Sequence, residues 1–174
     1  MKRISTRVLV DNPYHRYRRD RVRRRDGSEG DYYYIDHPLS VAVVAAFTDG
    51  TVLVQRCYRY LFGEFMHQLV LGHVEPGRAP REQAARELGE ETGWHPGRVT
   101  PLGRFTPCSG LANETCHAFL GRDLERVRPE LEPTEELEVL RLSRREARAF
   151  LLDAPRPCGQ SLSAWLLYER LQGD

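Results

Sequence analysis

The chain has 174 residues, 40% of them hydrophobic and 29% charged, which suits one globular domain with a real core and leaves little room for a second. With 26 Lys and Arg against 25 Asp and Glu, the net charge is only +1, so bulk charge gives no reason to expect a nucleic-acid or membrane partner. No stretch is apolar for long enough to span a bilayer, and the basic N-terminus lacks the apolar run of a secretory signal, so the expected location is the cytoplasm. The cysteines are Cys57, Cys108, Cys116 and Cys158, with no C-x-x-C pair, and Cys108, Cys116 and His117 match no common zinc spacing. Reduced, buried thiols are expected.

In chain order, the segment up to Pro38 is polar and rich in arginine and tyrosine. Seven of the ten residues from Arg16 to Arg25 are arginine. Asp26-Gly27 and Gly30 are turn signals, flanked by candidate strands at Arg21 to Arg23 and Tyr32 to Ile35. The arginine run reads either as a solvated hairpin edge or as a surface for an anion. Residues 1–38 are therefore read as an N-terminal β segment and 39–174 as the main domain.

The core begins at Ser40. Val41 to Phe47 and Thr51 to Val54 are apolar runs around Thr48-Asp49-Gly50, a hairpin of buried strands. Phe65 to Leu71 is a third strand, ending at Gly72. Pro80 to Thr92 predicts a helix, with proline near its start, Gly93 after its end, and a narrow apolar stripe of Ala84, Ala85 and Leu88. Strands follow around Thr115 to Leu120 and Leu137 to Leu142. Ser143-Arg144-Arg145-Glu146 is a capping box for a second helix, and Ser161 to Leu171 is a last helix packing Leu162, Trp165, Leu166 and Tyr168. Strands on both sides of a loop–helix element, with two late helices, point to an α+β fold or an α/β/α sandwich.

The predicted helix carries Glu87, Glu90 and Glu91 on one patch, since residues three and four apart are helix neighbours. Like charges there repel, and Gly89 inside the helix costs about 1 kcal/mol relative to alanine. An acidic face paired with arginines is one explanation, and a divalent cation, which favours hard oxygen ligands, is the other.

The spacing decides between them. From Gly72 to Trp94 the chain resembles the Nudix hydrolase signature: a glycine, five residues, a glutamate, seven residues, then R-E-U-x-E-E-x-G-U, where U is bulky and apolar. Arg86, Glu87, Leu88, Glu90, Glu91, Gly93 and Trp94 all fall on that pattern. The glutamate after the first glycine is Arg78 here. Arg78 is expected to crowd Arg86, and Glu82, one turn before Arg86, is expected to supply the missing partner. Arg56-Cys57-Tyr58-Arg59-Tyr60, Pro107-Cys108-Ser109-Gly110 with Glu114, and Gln68-Leu69-Val70-Leu71-Gly72 resemble segments of the ADP-ribose and nucleotide-sugar pyrophosphatase branch.

The resemblance implies a Nudix-type α/β/α sandwich with a mixed β-sheet and a small N-terminal antiparallel sheet. It implies hydrolysis of a nucleoside diphosphate linked to another group, ADP-ribose foremost. Mg²⁺, or Mn²⁺ in its place, would be held by Glu87, Glu90, Glu91 and the carbonyl of Leu71. It also implies phosphate contacts from Arg59 and Arg56, a substrate contact from Glu114, a proton acceptor at Glu135 with Glu136 as runner-up, and a homodimer completed by the N-terminal sheet. The alternatives are a nucleotide-sugar hydrolase and a catalytically weak nucleotide-binding module.

Overall fold

The computed structural model describes residues 1–173. Strand β4 (Ser40–Ala46) is buried at every position. Strand side chains alternate between faces, so β4 needs cover on both. Ala42, Val44 and Ala46 pack on one face with Leu151, Trp165 and Tyr168. Val41, Val43 and Ala45 pack on the other with Val70, Ala84 and Leu88. The first layer comes from α2 (Arg144–Leu152) and α3 (Gly159–Gln172), the second from α1 (Pro80–Thr92). This is the expected α/β/α sandwich.

The central sheet has seven strands in the order β10-β5-β4-β9-β8, with β6 paired to β5 and β7 to β4. These are β5 (Thr51–Arg59), β6 (Glu64–Gln68), β7 (Val70–His73), β8 (Trp94–Phe105), β9 (Cys116–Arg126) and β10 (Leu137–Ser143). It is mixed: β4 and β9 run parallel, and the other pairs are antiparallel. A separate antiparallel sheet joins β1 (Lys2–Asp11), β2 (Arg16–Arg23) and β3 (Glu29–Asp36). Among the described residues no helix is long and apolar enough to cross a membrane.

β4 and β5 pair only at Ala45–Leu53 and Ala46–Val52. Beyond that point they splay, and β6 and β7 fill the gap. The single strand expected from Phe65 to Leu71 is therefore two. The break is at Leu69, whose N–H donates to Ser161 Oγ (2.9 Å) on α3 instead of to a strand. This switch carries the chain from beside β5 to beside β4 and delivers Leu71 and Gly72 against α1.

Other departures have equally local causes. β1 was not anticipated, because all of its residues are exposed and show no buried alternation. β8 contains Pro96, Gly97, Pro101 and Gly103, which mask a strand, yet it is an edge strand with a bulge near Pro101, where prolines are tolerated. On α3, Trp165 and Tyr168 are buried as expected, but Leu166 faces outward, and Ala164 and Leu167 take the core side. The arginine run lies on β2 up to Arg23, where Arg16, Arg18, Arg21 and Arg23 pair with Asp11, Asp36, Asp31 and Glu29. Those ladders account for much of the run without a polyanion. The capping box at Ser143 forms in both directions.

Candidate active site

The splay between β4 and β5 opens a cavity of about 600 Å³ lined by Arg59, Leu71, Gly72, Glu87, Glu91 and Glu135, among others. Helix α1 supplies the two central carboxylates. Pro80 sits in its first turn, and Gly93 ends it with φ near +70°, a left-handed conformation that glycine adopts without strain. Glu91 is buried and Glu87 half-buried. Gly72 lies against the Glu87 carboxyl group, so a Cβ there would require that side chain to move.

Neither carboxylate forms an ion pair among the described residues. Glu87 accepts from Gln83 Nε2 (2.8 Å) and Glu91 from Gln55 Nε2 (2.8 Å). Burial pushes the Glu87 carboxyl up to about 7, with repulsion from Glu90 and Glu135 adding to it. Burial likewise pushes Glu91 up to about 8, with Glu87 and Glu135 adding repulsion. One buried and one half-buried carboxylate, each held by a neutral amide and lacking a counter-charge, fit a hard divalent cation. Among the described residues no three acidic, histidine or cysteine side chains already converge as a metal-holding group. Glu90 explains part of this: its carboxylate is turned to Arg86 Nε at 2.6 Å.

The remaining predicted residues divide between the cavity and its surroundings. Glu135 lines it, accepting from the Glu132 N–H (2.9 Å), whereas Glu136 does not. Arg59 lines it too, donating through Nε and Nη2 to Gln68 Oε1 at 3.1 and 2.9 Å. Arg56 is not brought to it. Three residues from Arg59 on one strand, it must face the opposite way, where it pairs with Glu138 (3.1 Å) and lies over the Phe65 ring. Glu114 stands behind the wall, accepting from Ser40 Oγ (2.5 Å) and Gln160 Nε2 (2.9 Å).

Glu82 does not serve Arg86. Arg86 reaches across the loop to Glu75 (2.6 Å) and forward to Glu90 (2.6 Å), and Arg78 joins the same Glu75 at 3.1 Å. One loop carboxylate therefore bridges both arginines. Sequence reading also missed Gln55 and Gln83. The available signal at Gln55 was an amide directly after the apolar run Val52-Leu53-Val54, on a strand expected to be buried, where an unsatisfied polar group costs about 1–3 kcal/mol.

A NUDIX domain model matches residues 36–161, and a model described as a nucleoside diphosphate sugar hydrolase N-terminal domain matches residues 1–35. The chain belongs to the Nudix family. An ADP-ribose pyrophosphatase of Bacillus subtilis is 30% identical over 115 residues, 65% of this chain and 62% of that protein. This match therefore spans less than two thirds of the relative's length. A methanol dehydrogenase activator of Bacillus methanolicus is 26% identical over 86% of this chain and 82% of its own length. A solved structure described as an ADP compounds hydrolase superposes with a TM-score of 0.85 at 20% identity, covering 99% of this chain and 97% of that one, and it supports the fold alone.

Two measurements check this site. In double-mutant cycles, Glu75→Ala and Arg86→Ala are expected to couple by about 0.2–1 kcal/mol, as screened surface pairs do, while Glu82→Ala and Arg86→Ala add independently. The second concerns pH. A carboxyl raised in the folded state keeps its proton where the unfolded chain has lost it, so folding loses stability as pH rises. For Glu87 and Glu91 that window runs from about 4.5 up to about 7 and about 8. Thermal melts of metal-free protein should fall across it, Glu91→Gln should flatten the fall, and added Mg²⁺ should raise the melting temperature more at pH 8 than at pH 6.

Proposed function

We propose that this chain is a divalent-metal-dependent pyrophosphohydrolase that cleaves ADP-ribose to AMP and ribose 5-phosphate. The observation that carries this reading is one cavity lined by Glu87 and the buried Glu91, neither with a counter-charge, together with Arg59. Glu87, Glu91 and the Leu71 carbonyl would hold Mg²⁺ or Mn²⁺, joined by Glu90 once it leaves Arg86. When bound, the ion neutralises pyrophosphate charge and acidifies a water.

The chain's own groups do the rest. Arg59 grips the pyrophosphate through its remaining N–H groups and holds it in place. Glu135 takes the proton of the attacking water. The water oxygen bonds to one phosphorus, and the bridging oxygen leaves with the other phosphate. A nucleotide-sugar substrate is the second reading, favoured by the N-terminal match to the sugar-hydrolase model.

The N-terminal sheet supports a two-part organisation, residues 1–38 and 39–174, acting as a homodimer. β1 is an edge strand, and Ile4, Val8, Leu9, Val10, Tyr17 and Tyr33 on this sheet are exposed. Exposed apolar surface of this kind suits burial against a second copy.

The test is a panel of nucleoside diphosphate derivatives assayed for released monophosphate with and without Mg²⁺. ADP-ribose should turn over fastest, and Glu91→Gln should lower turnover at least a hundredfold while the fold persists. Turnover by Glu91→Gln equal to the natural chain, or none by either, would sink the reading. Deleting residues 1–35 should give a monomer with a raised KM, as judged by sedimentation and kinetics. A truncated monomer with normal kinetics would remove the N-terminal sheet from the site.

A further inference from the structure

Residues 75–78 form a turn that meets α1 at Gln83. Glu75-Pro76-Gly77-Arg78 closes through the Arg78 N–H, which donates to the Glu75 carbonyl (3.1 Å). Proline second and glycine third, the latter at φ +82°, are what a type II turn demands. Such a turn brings its first and last residues together, and Arg78 Nη2 pairs with the Glu75 carboxylate at 3.1 Å.

Gln83 faces this turn from the helix. It is 2% exposed and lines the catalytic cavity. It stands four residues before Glu87 and eight before Glu91, on the same stripe of α1. Its Oε1 accepts from the Glu75 N–H (3.3 Å) and from Arg78 Nη1 (3.4 Å), and its Nε2 donates to Glu87 Oε1 (2.8 Å). The first two contacts are long and individually weak, so their direction matters more than their strength. An amide can turn end for end, exchanging oxygen and nitrogen, and its neighbours decide which way it points. Here two donors face the oxygen and one acceptor faces the nitrogen, so all three contacts favour the same orientation. The reversed amide would meet donors with donors and set its oxygen against the Glu87 carboxylate.

We infer that Arg78 and Gln83 are a matched pair of positioning residues: the arginine fixes which way the Gln83 amide points, and the amide holds Glu87 for a divalent cation. The Nudix signature has a glutamate where this chain has Arg78. A carboxylate at residue 78 would offer Gln83 an acceptor in place of a donor. The amide would then be drawn round to meet it and would release Glu87. With no amide at residue 83 there is nothing to turn, and the charge at residue 78 no longer reaches Glu87 by this route. The departure from the signature at one position is therefore tied to the glutamine at the other. This rests on the proposed metal-dependent reading, in which Glu87 is a ligand.

The test reads Mn²⁺ affinity by electron paramagnetic resonance, on chains shown to be folded by circular dichroism. Arg78 lies on a turn with 28% of its side chain exposed, so replacing it leaves the core intact. Gln83→Ala is expected to weaken Mn²⁺ binding about tenfold, a loss typical of groups that orient metal ligands, and Arg78→Glu to weaken it by a similar factor. The sign is informative, because an added negative charge near the site would by itself attract a cation. The double variant is expected to bind Mn²⁺ within about twofold of Gln83→Ala alone, whereas a merely structural loss at the turn would appear equally in both backgrounds. Unchanged or tighter binding in Arg78→Glu, unchanged binding in Gln83→Ala, or losses that multiply in the double variant would overturn the inference while leaving the functional reading intact. A natural chain that binds no Mn²⁺ would instead sink the metal-dependent reading and this pair with it.

Discussion

The burial of Glu91 without a counter-charge is the constraint around which the chain is arranged. The carboxyl sits on the inner face of α1, in the wedge where β4 and β5 separate, and its one hydrogen-bond donor is an amide. Such a group is costly, and its protonation is favoured up to about pH 8. The sandwich tolerates it because the apolar stripe of the same helix, Ala84 and Leu88, is fully buried against Val41, Val43 and Phe119. Well-packed apolar residues thus offset the cost of the carboxyl that shares their face of the thirteen-residue helix.

The loop before α1 answers a second charge problem. Arg78 and Arg86 would repel across the loop, and Glu75 resolves this by bonding to both. That leaves the helix anchored at its outer surface by charges and at its inner surface by packing. Gly72 lies between the two anchors, where a larger residue would displace the Glu87 carboxyl from its present position. The metal-fitting carboxylates are therefore set by the backbone path of the loop as much as by the helix.

What the sequence revealed and what it hid follow from the range of the interactions. Glu87, Glu90 and Glu91 were legible because helical spacing puts them together whatever surrounds them. The sandwich was legible because β4 is apolar on both faces. Arg56 was legible in principle, since strand parity alone sends it away from Arg59, but motif resemblance masked the geometry. Glu75 was passed over because the loop's path brings it to Arg86 from eleven residues away, beyond any helix spacing. The break between β6 and β7 had no local signal, because its cause lies on α3.

The hydroxyl of Ser161 gives that break a consequence for how the molecule is assembled during synthesis. Leu69 leaves the strand ladder to bond with a residue 92 positions later. A nascent chain that has emerged only through α2 holds both short strands and the carboxylate helix. It still lacks the acceptor that fixes where one strand stops and the next begins. The place where β6 stops and β7 begins therefore depends on a hydrogen bond that can form only after α3 has been made.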